Sequence, residues 1–300
     1  MKILVTGASG FIGRNLLPVL TKRGAGDTVF AVVRSIPKEA IPNVNWIKAD
    51  LGDAEWTKCL PDEHFDMIVH LAQSKHYRDF PSRVDDIFKI NVQATVELAE
   101  WALGHGVNRF LFASTGNVYG FQNSVHREED RCDPETMYGA SKLSAEILLK
   151  PFSEFMDVVV LRLFGVYGPG QTEAMLPGII QRFNAGEEIT LAGNVGVRFN
   201  PIYVDDCAAA IHGLTMVTVI ADYEVLNIGG SELIDLRQVS ELMESYSGMK
   251  ARIRLTSEQP RELVGLNEKL HRLCVLKRGT SFQEGFRLTF DWSKDFLREL

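Results

Sequence analysis

Residues 2–17 read KILVTGASGFIGRNLL. An apolar run, Ile3 to Val5, leads into glycines at Gly7, Gly10 and Gly13, and beyond them apolar residues recur at three- and four-residue spacing. A short uninterrupted apolar run suits a strand buried on both faces, whereas the later spacing suits a helix that packs one face. Glycine at the junction allows a tight turn that leaves backbone N–H groups open to a phosphorylated ligand, whose charge the helix N-terminus favours. A glycine-rich turn that binds nothing is the alternative. The strand before and the helix after are the context that favours the phosphate cradle. Pro18 lies inside the helical stretch and lacks a backbone donor, so a kink or a tightened turn is expected between Arg14 and Pro18.

Outward from this unit the same pattern repeats. TVFAVV, NWIKA, DMIVHLA, RFLFAS and DVVVLRLF are each about the length of a buried strand, and residues 84–103 and 138–152 carry helical spacing between them. Alternating strand and helix predict an α/β fold, a doubly wound parallel (Rossmann) sheet with helices on both faces. Ligands of such sheets bind beyond the carboxyl ends of the strands. After Gly168-Pro169-Gly170 the pattern loosens, which predicts a smaller, discontinuous C-terminal domain over the strand ends. The dinucleotide-binding domain is read as 1–166 plus about 201–222, and the substrate-binding domain as about 167–200 and 223–300.

The bulk composition removes several classes of function. Apolar residues make up 45% of the 300 and charged residues 24%, the mixture of an ordinary globular chain. A net charge of −7 without a Lys/Arg-rich block gives no footprint for nucleic acid. No apolar run approaches the ~18 residues of a membrane span. Met1-Lys2 passes at once into ILV, without room for a secretion signal, so a cytoplasmic location is expected. Cys59, Cys132, Cys207 and Cys274 are widely spaced and form no C-x-x-C, so neither a metal site nor a disulfide framework is predicted. These cysteines are expected to be reduced and mostly buried.

Two further stretches bear on chemistry. The second strand ends Val32-Val33-Arg34-Ser35 instead of in the acid that accepts a free ribose 2′-hydroxyl. A guanidinium there suits a 2′-phosphate, so NADP(H) is favoured over NAD, with an Arg34 that merely solvates the strand end as the alternative. Asp50, closing the third strand, is placed for an adenine contact or for a solvated turn. In YGASK, Tyr138 and Lys142 are four residues apart and share a helix face. A phenol with a pKa of ~10 is a poor base near neutrality, but a neighbouring ammonium and an oxidised nicotinamide favour its phenolate. Tyr138 is then able to shuttle a proton to a substrate oxygen. A second match, Tyr246 to Lys250, is broken by Gly248 and reads as structural.

With these elements in order, the chain resembles the extended short-chain dehydrogenase/reductase family, in particular its NAD(P)-dependent epimerases, dehydratases and reductases of nucleotide sugars. The resemblance runs nearly the full length, through TGASGFIG, IVHLAQ, INVQATVELAE, ASTGNVYG, YGASK, LRLFGVYGPGQ, RFNPIYVDDCAAAI and LNIGG. It implies that Phe11 and Ile12 present N–H groups to a diphosphate, that Asp50 and Leu51 flank the adenine, and that Leu71, Ala72 and Gln73 line the cofactor channel. Thr115 is implied to bind the substrate oxygen beside Tyr138, while Ser114 serves as a strand-end hydrogen bonder. Lys142 is implied to hold the nicotinamide ribose and tune Tyr138, and Phe164 to lie near the nicotinamide. Asn91 matches a family Asn of the active site, with a helix-capping role as the alternative. Arg198 is implied to grip the substrate diphosphate, with a surface ion pair as the alternative. The family's dehydratases carry acids directly after the catalytic Thr, whereas Gly116 and Asn117 stand here, so dehydration is disfavoured.

Arg34 tips the expectation toward reduction of a 4-keto sugar nucleotide, with 4-epimerisation as the alternative. Gly165, where sugar-nucleotide enzymes commonly carry Asn, and Asn200-Pro201 before YVDD are departures that keep a small non-nucleotide carbonyl substrate open. A cofactor-sensing regulator on the same fold is the non-enzyme reading, and the intact Thr115, Tyr138 and Lys142 argue against it. The resemblance also implies a homodimer paired through the helices that start at Val84 and Tyr138.

Overall fold

A computed structural model of the protein describes residues 1–22, 27–39, 41–121, 124–274 and 279–298. Seven strands form one parallel sheet: β1 (Lys2–Thr6), β2 (Thr28–Val33), β3 (Val44–Lys48), β4 (Met67–His70), β5 (Arg109–Thr115), β7 (Asp157–Leu163) and β10 (Tyr223–Ile228). Their order is β10-β7-β5-β4-β1-β2-β3. The order reverses between β1 and β4, so the turns that follow these two strands bound the crevice where such sheets take ligands. The remaining strands are short and lie beyond the carboxyl ends of the sheet strands in sequence: β6 (Val125–His126), β8 (Glu188–Ala192), β9 (Arg198–Phe199), β11 (Ile234–Asp235), β12 (Arg252–Thr256) and β13 (Glu262–Gly265).

Strand alternation divides the core between the two faces of the large sheet. Ile3 and Val5 point to one face, where Leu16, Leu17 and Leu20 of α1 (Phe11–Thr21) pack with Ala208, Ile211 and Leu214 of a later helix. Leu4 points to the other, where Leu98 and Ala102 meet Ala145 and Leu149. The second face is covered by α2 (Val84–Phe88), α3 (Ala94–Gly104) and α4 (Met137–Leu149). A third apolar cluster gathers α5 (Met175–Asn184), β8 and α7 (Leu236–Ser247) with Phe282, Phe286 and Phe290 of α9 (Phe282–Arg298). Those three phenylalanines are four apart and so share one helix face. Between them in sequence lie α6 (Val204–Met216), which supplies the helix packed beside α1, and α8 (Glu268–Leu273).

The structure refines three details of the sequence expectations. Residues 223–228 complete the large sheet beside β7, because their buried run pairs with it residue for residue; they do not open the smaller domain. Helix α1 continues through Pro18 to Thr21, the Thr21 hydroxyl bonding the Leu17 carbonyl at 3.0 Å in the last turn. All four cysteines are free, but only Cys207 and Cys274 are buried, Cys59 being exposed and Cys132 half-buried. Among the described residues, no helix is long and apolar enough to cross a membrane.

Candidate active site

The turn after β1 is built by close backbone approach. Gly7 has φ +65°, and a Cβ there would lie 2.6 Å from the Ala72 nitrogen and 2.7 Å from the Leu71 carbonyl carbon. At Gly13 a Cβ would meet the Gly7 carbonyl oxygen at 2.4 Å. The Gly10 N–H donates to the Gly7 carbonyl at 2.9 Å, and the first helical bond runs from Arg14 N–H to the Gly10 carbonyl at 3.0 Å. Helix geometry leaves the N–H groups of Phe11, Ile12 and Gly13 without intrahelical partners, and no side chain caps them. That set of donors, with no acid in the first turn, fits a dinucleotide diphosphate.

Across the crevice, β5 delivers Thr115 to its end. Its hydroxyl caps the single-turn helix Gly116–Tyr119 by accepting the Asn117 N–H at 3.2 Å. Helix α4 begins at a Thr136 cap, whose hydroxyl accepts the Gly139 N–H at 3.0 Å. Gly139 lets the helix start press on that turn, since a Cβ there would come within 2.6 Å of the Asn117 carbonyl. This contact brings Tyr138 to Thr115. The Tyr138 hydroxyl donates to Gln73 Oε1 at 2.9 Å, and the Thr115 hydroxyl is near enough to ease ionisation of the phenol. Sequence-distant Gln73, Thr115 and Tyr138 thus gather in one place.

Lys142 lies one turn further along α4 and is almost fully buried. Its ammonium donates to the Ala113 carbonyl at 2.8 Å and sits 4.8 Å from the centre of the Phe112 ring. Burial pulls its pKa down to about 7, against the upward pull of Glu146. Tyr138 departs from expectation: burial and then the neighbouring Tyr77 push its phenol up, and the groups that ease its ionisation are Thr115 and Arg78. In this ligand-free arrangement Tyr138 is a proton donor, with Lys142 not among the groups that acidify it.

Beneath the pair runs a chain of buried polar groups. The Thr95 hydroxyl donates to the Asn91 carbonyl at 2.9 Å, so it accepts from His70 Nε2, also at 2.9 Å. His70 Nδ1 then accepts from the Thr6 hydroxyl at 2.6 Å. Burial, helped by the Lys142 charge, lowers the His70 pKa to about 3 and keeps the ring neutral. Asn91 sits in a π-helical segment, Lys89–Gln93, where its amide accepts the Ser74 N–H at 2.8 Å and donates to the Ser141 hydroxyl at 3.0 Å. Ser141 in turn bonds the Tyr138 carbonyl at 2.8 Å. Asn91 is 0% exposed, and its amide ties the turn after β4 to α4 directly beneath Tyr138.

Ser114, a strand-end hydrogen bonder as expected, donates to Glu146. Arg162 of β7 grips the same carboxylate, with Nη2 at 2.8 Å from Oε2, and also donates to the Tyr119 hydroxyl at 2.7 Å.

The other anticipated residues divide. Leu71 and Gln73 line the crevice after β4, Ala72 is the backbone that Gly7 touches, and Leu51 is buried beside the turn after β3. Asp50 closes the turn after β3, its carboxylate accepting the Gly52 N–H at 2.9 Å. Arg34 is exposed just past β2. Phe164 is 1% exposed, its ring clamped so that a Cβ on Gly116 would lie 2.6 Å away and one on Gly265 2.4 Å away. Arg198 bonds Glu262 on the adjacent β13 at 3.1 Å. The Tyr246–Lys250 match is structural: Gly248 ends α7, Lys250 pairs with Glu244 at 2.7 Å, and the Tyr246 hydroxyl bonds the Gln283 carbonyl at 3.0 Å.

Sequence reading missed the wall of the cleft. Tyr77 packs on Tyr138 at 4.9 Å between ring centres, and its hydroxyl bonds the Glu173 carbonyl at 2.8 Å. Next to it, Lys75, His76, Arg78, Glu173 and Gln181 line an open cleft of about 470 Å³. The signal available was the basic run KHYR directly after IVHLAQS. Asn200 was also missed as a clasp: its amide donates to the Gly230 and Gly265 carbonyls at 3.1 and 2.8 Å and accepts the Gly265 N–H at 3.1 Å.

Comparison with known proteins agrees with this geometry. The sequence profile described as the NAD dependent epimerase/dehydratase family matches residues 3–229. An uncharacterised UDP-glucose epimerase, YtcB of Bacillus subtilis (strain 168), is 30% identical over 306 residues, covering 95% of each chain. The crystal structure of UDP-glucuronic acid 4-epimerase from Bacillus cereus, in complex with UDP-glucuronic acid and NAD, superposes with a TM-score of 0.87 at 26% identity, covering 99% of this chain and 100% of that one. MoeE5, in complex with UDP-glucuronic acid and NAD, superposes at 0.85 with 27% identity and covers 100% of both chains.

Proposed function

The chain belongs to the NAD dependent epimerase/dehydratase family, and from that premise we propose that it works at C4 of a hexose carried on a nucleoside diphosphate, returning the sugar as its 4-epimer. The observation that carries this reading is the meeting of Tyr138, Thr115 and Gln73 at the crevice beside the glycine turn. When bound, the nicotinamide accepts and returns hydride. The glycine turn and the free N–H groups of Phe11, Ile12 and Gly13 would hold its diphosphate. Tyr138 exchanges a proton with the C4 oxygen, and the Thr115 hydroxyl holds that oxygen in place. Arg78 and Lys142 are the cations nearest in role: the first eases ionisation of the phenol directly, and the second anchors the helix turn behind it.

Dehydration needs an acid after Thr115, and position 116 has no space for one beside Phe164. The sugar nucleotide would occupy the cleft beside Tyr77 and Arg78, between the dinucleotide-binding domain and residues 167–200. The same reading pairs two copies through α2 and α4, whose Phe88, Ile147 and Leu148 are exposed.

The test is incubation with UDP-glucose, and separately with UDP-glucuronate, in the presence of NAD, followed by proton NMR of the sugar. The expected result is a mixture of 4-epimers without net change in nicotinamide absorbance. If neither sugar changes, the proposal fails.

Arg34 supports a second reading, net reduction of a 4-keto sugar with NADPH. Although the comparison structures carry NAD, Arg34 stands exposed at the end of β2 where a ribose 2′-phosphate would lie. NADPH is expected to bind about tenfold more tightly than NADH, the scale of one charge-assisted contact. Arg34→Ala should erase the difference, as read by fluorescence titration. Equal affinities in the unmodified protein would refute the preference.

A further inference from the structure

We propose that Glu146 is a positioning residue for the catalytic pair, a buried carboxylate clamped by Arg162 that supplies the counter-charge to Lys142 and seats the end of β5 through Ser114. This rests on the role given to Tyr138 and Lys142 above. Glu146 is 2% exposed and lies one helical turn beyond Lys142, so the two side chains share a face of α4. Its Oε1 accepts the Ser114 hydroxyl, and its Oε2 accepts Arg162 Nη2 at 2.8 Å and Nε at 3.2 Å. Ser114 is the residue before Thr115, so the carboxylate holds the strand end from which the substrate-binding hydroxyl projects.

The groups that face Lys142 are few. From β5 come the Phe112 ring and the Ala113 carbonyl. From β4 comes His70, which is neutral near pH 7. Along α4 lie Tyr138, protonated in this arrangement, and Glu146. Among these groups Glu146 carries the full negative charge. Burial works against the ammonium, and Glu146 opposes that effect. Arg162 reaches the carboxylate from β7 and its other donors go to Tyr119 and the Glu128 carbonyl, so its guanidinium is held in place against Glu146.

A structural ion pair without this role would lower stability when broken and leave Lys142 unaffected. The discriminating measurement is a pH titration of lysine ¹³Cε resonances in the intact protein, with the Lys142 signal assigned by its loss in Lys142→Met. In the unmodified protein the midpoint is expected near 7. In Glu146→Gln it should fall by about one pH unit, the scale of losing a nearby opposite charge. The alkaline limb of the turnover profile should move with it. Glu146→Gln leaves Arg162 buried without its partner and risks misfolding. The double variant Glu146→Gln/Arg162→Gln removes both charges and should show the same fall. An unchanged midpoint in either folded variant overturns the proposal. The titration needs no substrate, so a failure of epimerisation would sink the proposed reaction and leave this result standing.

Discussion

Tyr138→Phe is expected to lower turnover by about 10²- to 10⁴-fold, the range of a lost general acid–base group, while dinucleotide binding and thermal stability stay unchanged. The substitution removes one oxygen and keeps the ring that packs on Tyr77 at 4.9 Å. What disappears is the hydroxyl beside Thr115 that bonds Gln73. Steady-state rates on the sugar nucleotide that the protein turns over, beside a binding titration with NAD and a melting curve, separate these effects. Turnover close to that of the unmodified enzyme would remove Tyr138 from the chemistry.

The largest effect on the fold is expected from Gly7→Ala. A left-handed backbone at an L-residue costs about 1–2 kcal/mol. The new methyl would also press on main-chain atoms of Leu71 and Ala72 at 2.6 to 2.8 Å, and overpacking of this kind costs about 1–3 kcal/mol. Neither neighbour is a flexible side chain able to swing aside. A total near 3 kcal/mol is a large share of the roughly 5–15 kcal/mol that a folded domain holds in reserve. Urea unfolding should show it, together with weakened NAD binding, because the strain falls on the crevice itself. Gly104→Ala is the matched control: nothing lies within 4 Å of a Cβ at that helix-end position, so stability there should hold or rise slightly.

The parts of this protein legible in its sequence are those whose signal is local. Strand alternation around Ile3, Leu4 and Val5, the glycine spacing from Gly7 to Gly13, and the four-residue interval from Tyr138 to Lys142 each lie within a dozen residues, and each places its element correctly. Charge partnerships are different because they form across the fold. Arg198 and Glu262 are 64 residues apart and meet only because β9 and β13 are neighbours, which no local pattern discloses. Arg162 and Glu146 are 16 apart on different elements. Asn91 could be marked as a site residue by resemblance, but its partners Ser74 and Ser141 lie 17 and 50 residues away on other elements. The ionisation of Tyr138 was misjudged for a related reason: spacing showed the ammonium, but not the burial of the phenol or Arg78, which arrives from the turn after β4.

The clamp on Phe164 has a consequence for redesign. Its aromatic plate is pinned from one side at residue 116 and from the other at residue 265, so it cannot slide to admit a newcomer. Placing a larger side chain at position 116 would therefore demand concerted replacement, the new group introduced there and a smaller partner at 164, with either change alone leaving a clash or a void. The space after the end of β5 is guarded by volume, through a ring that is itself 1% exposed.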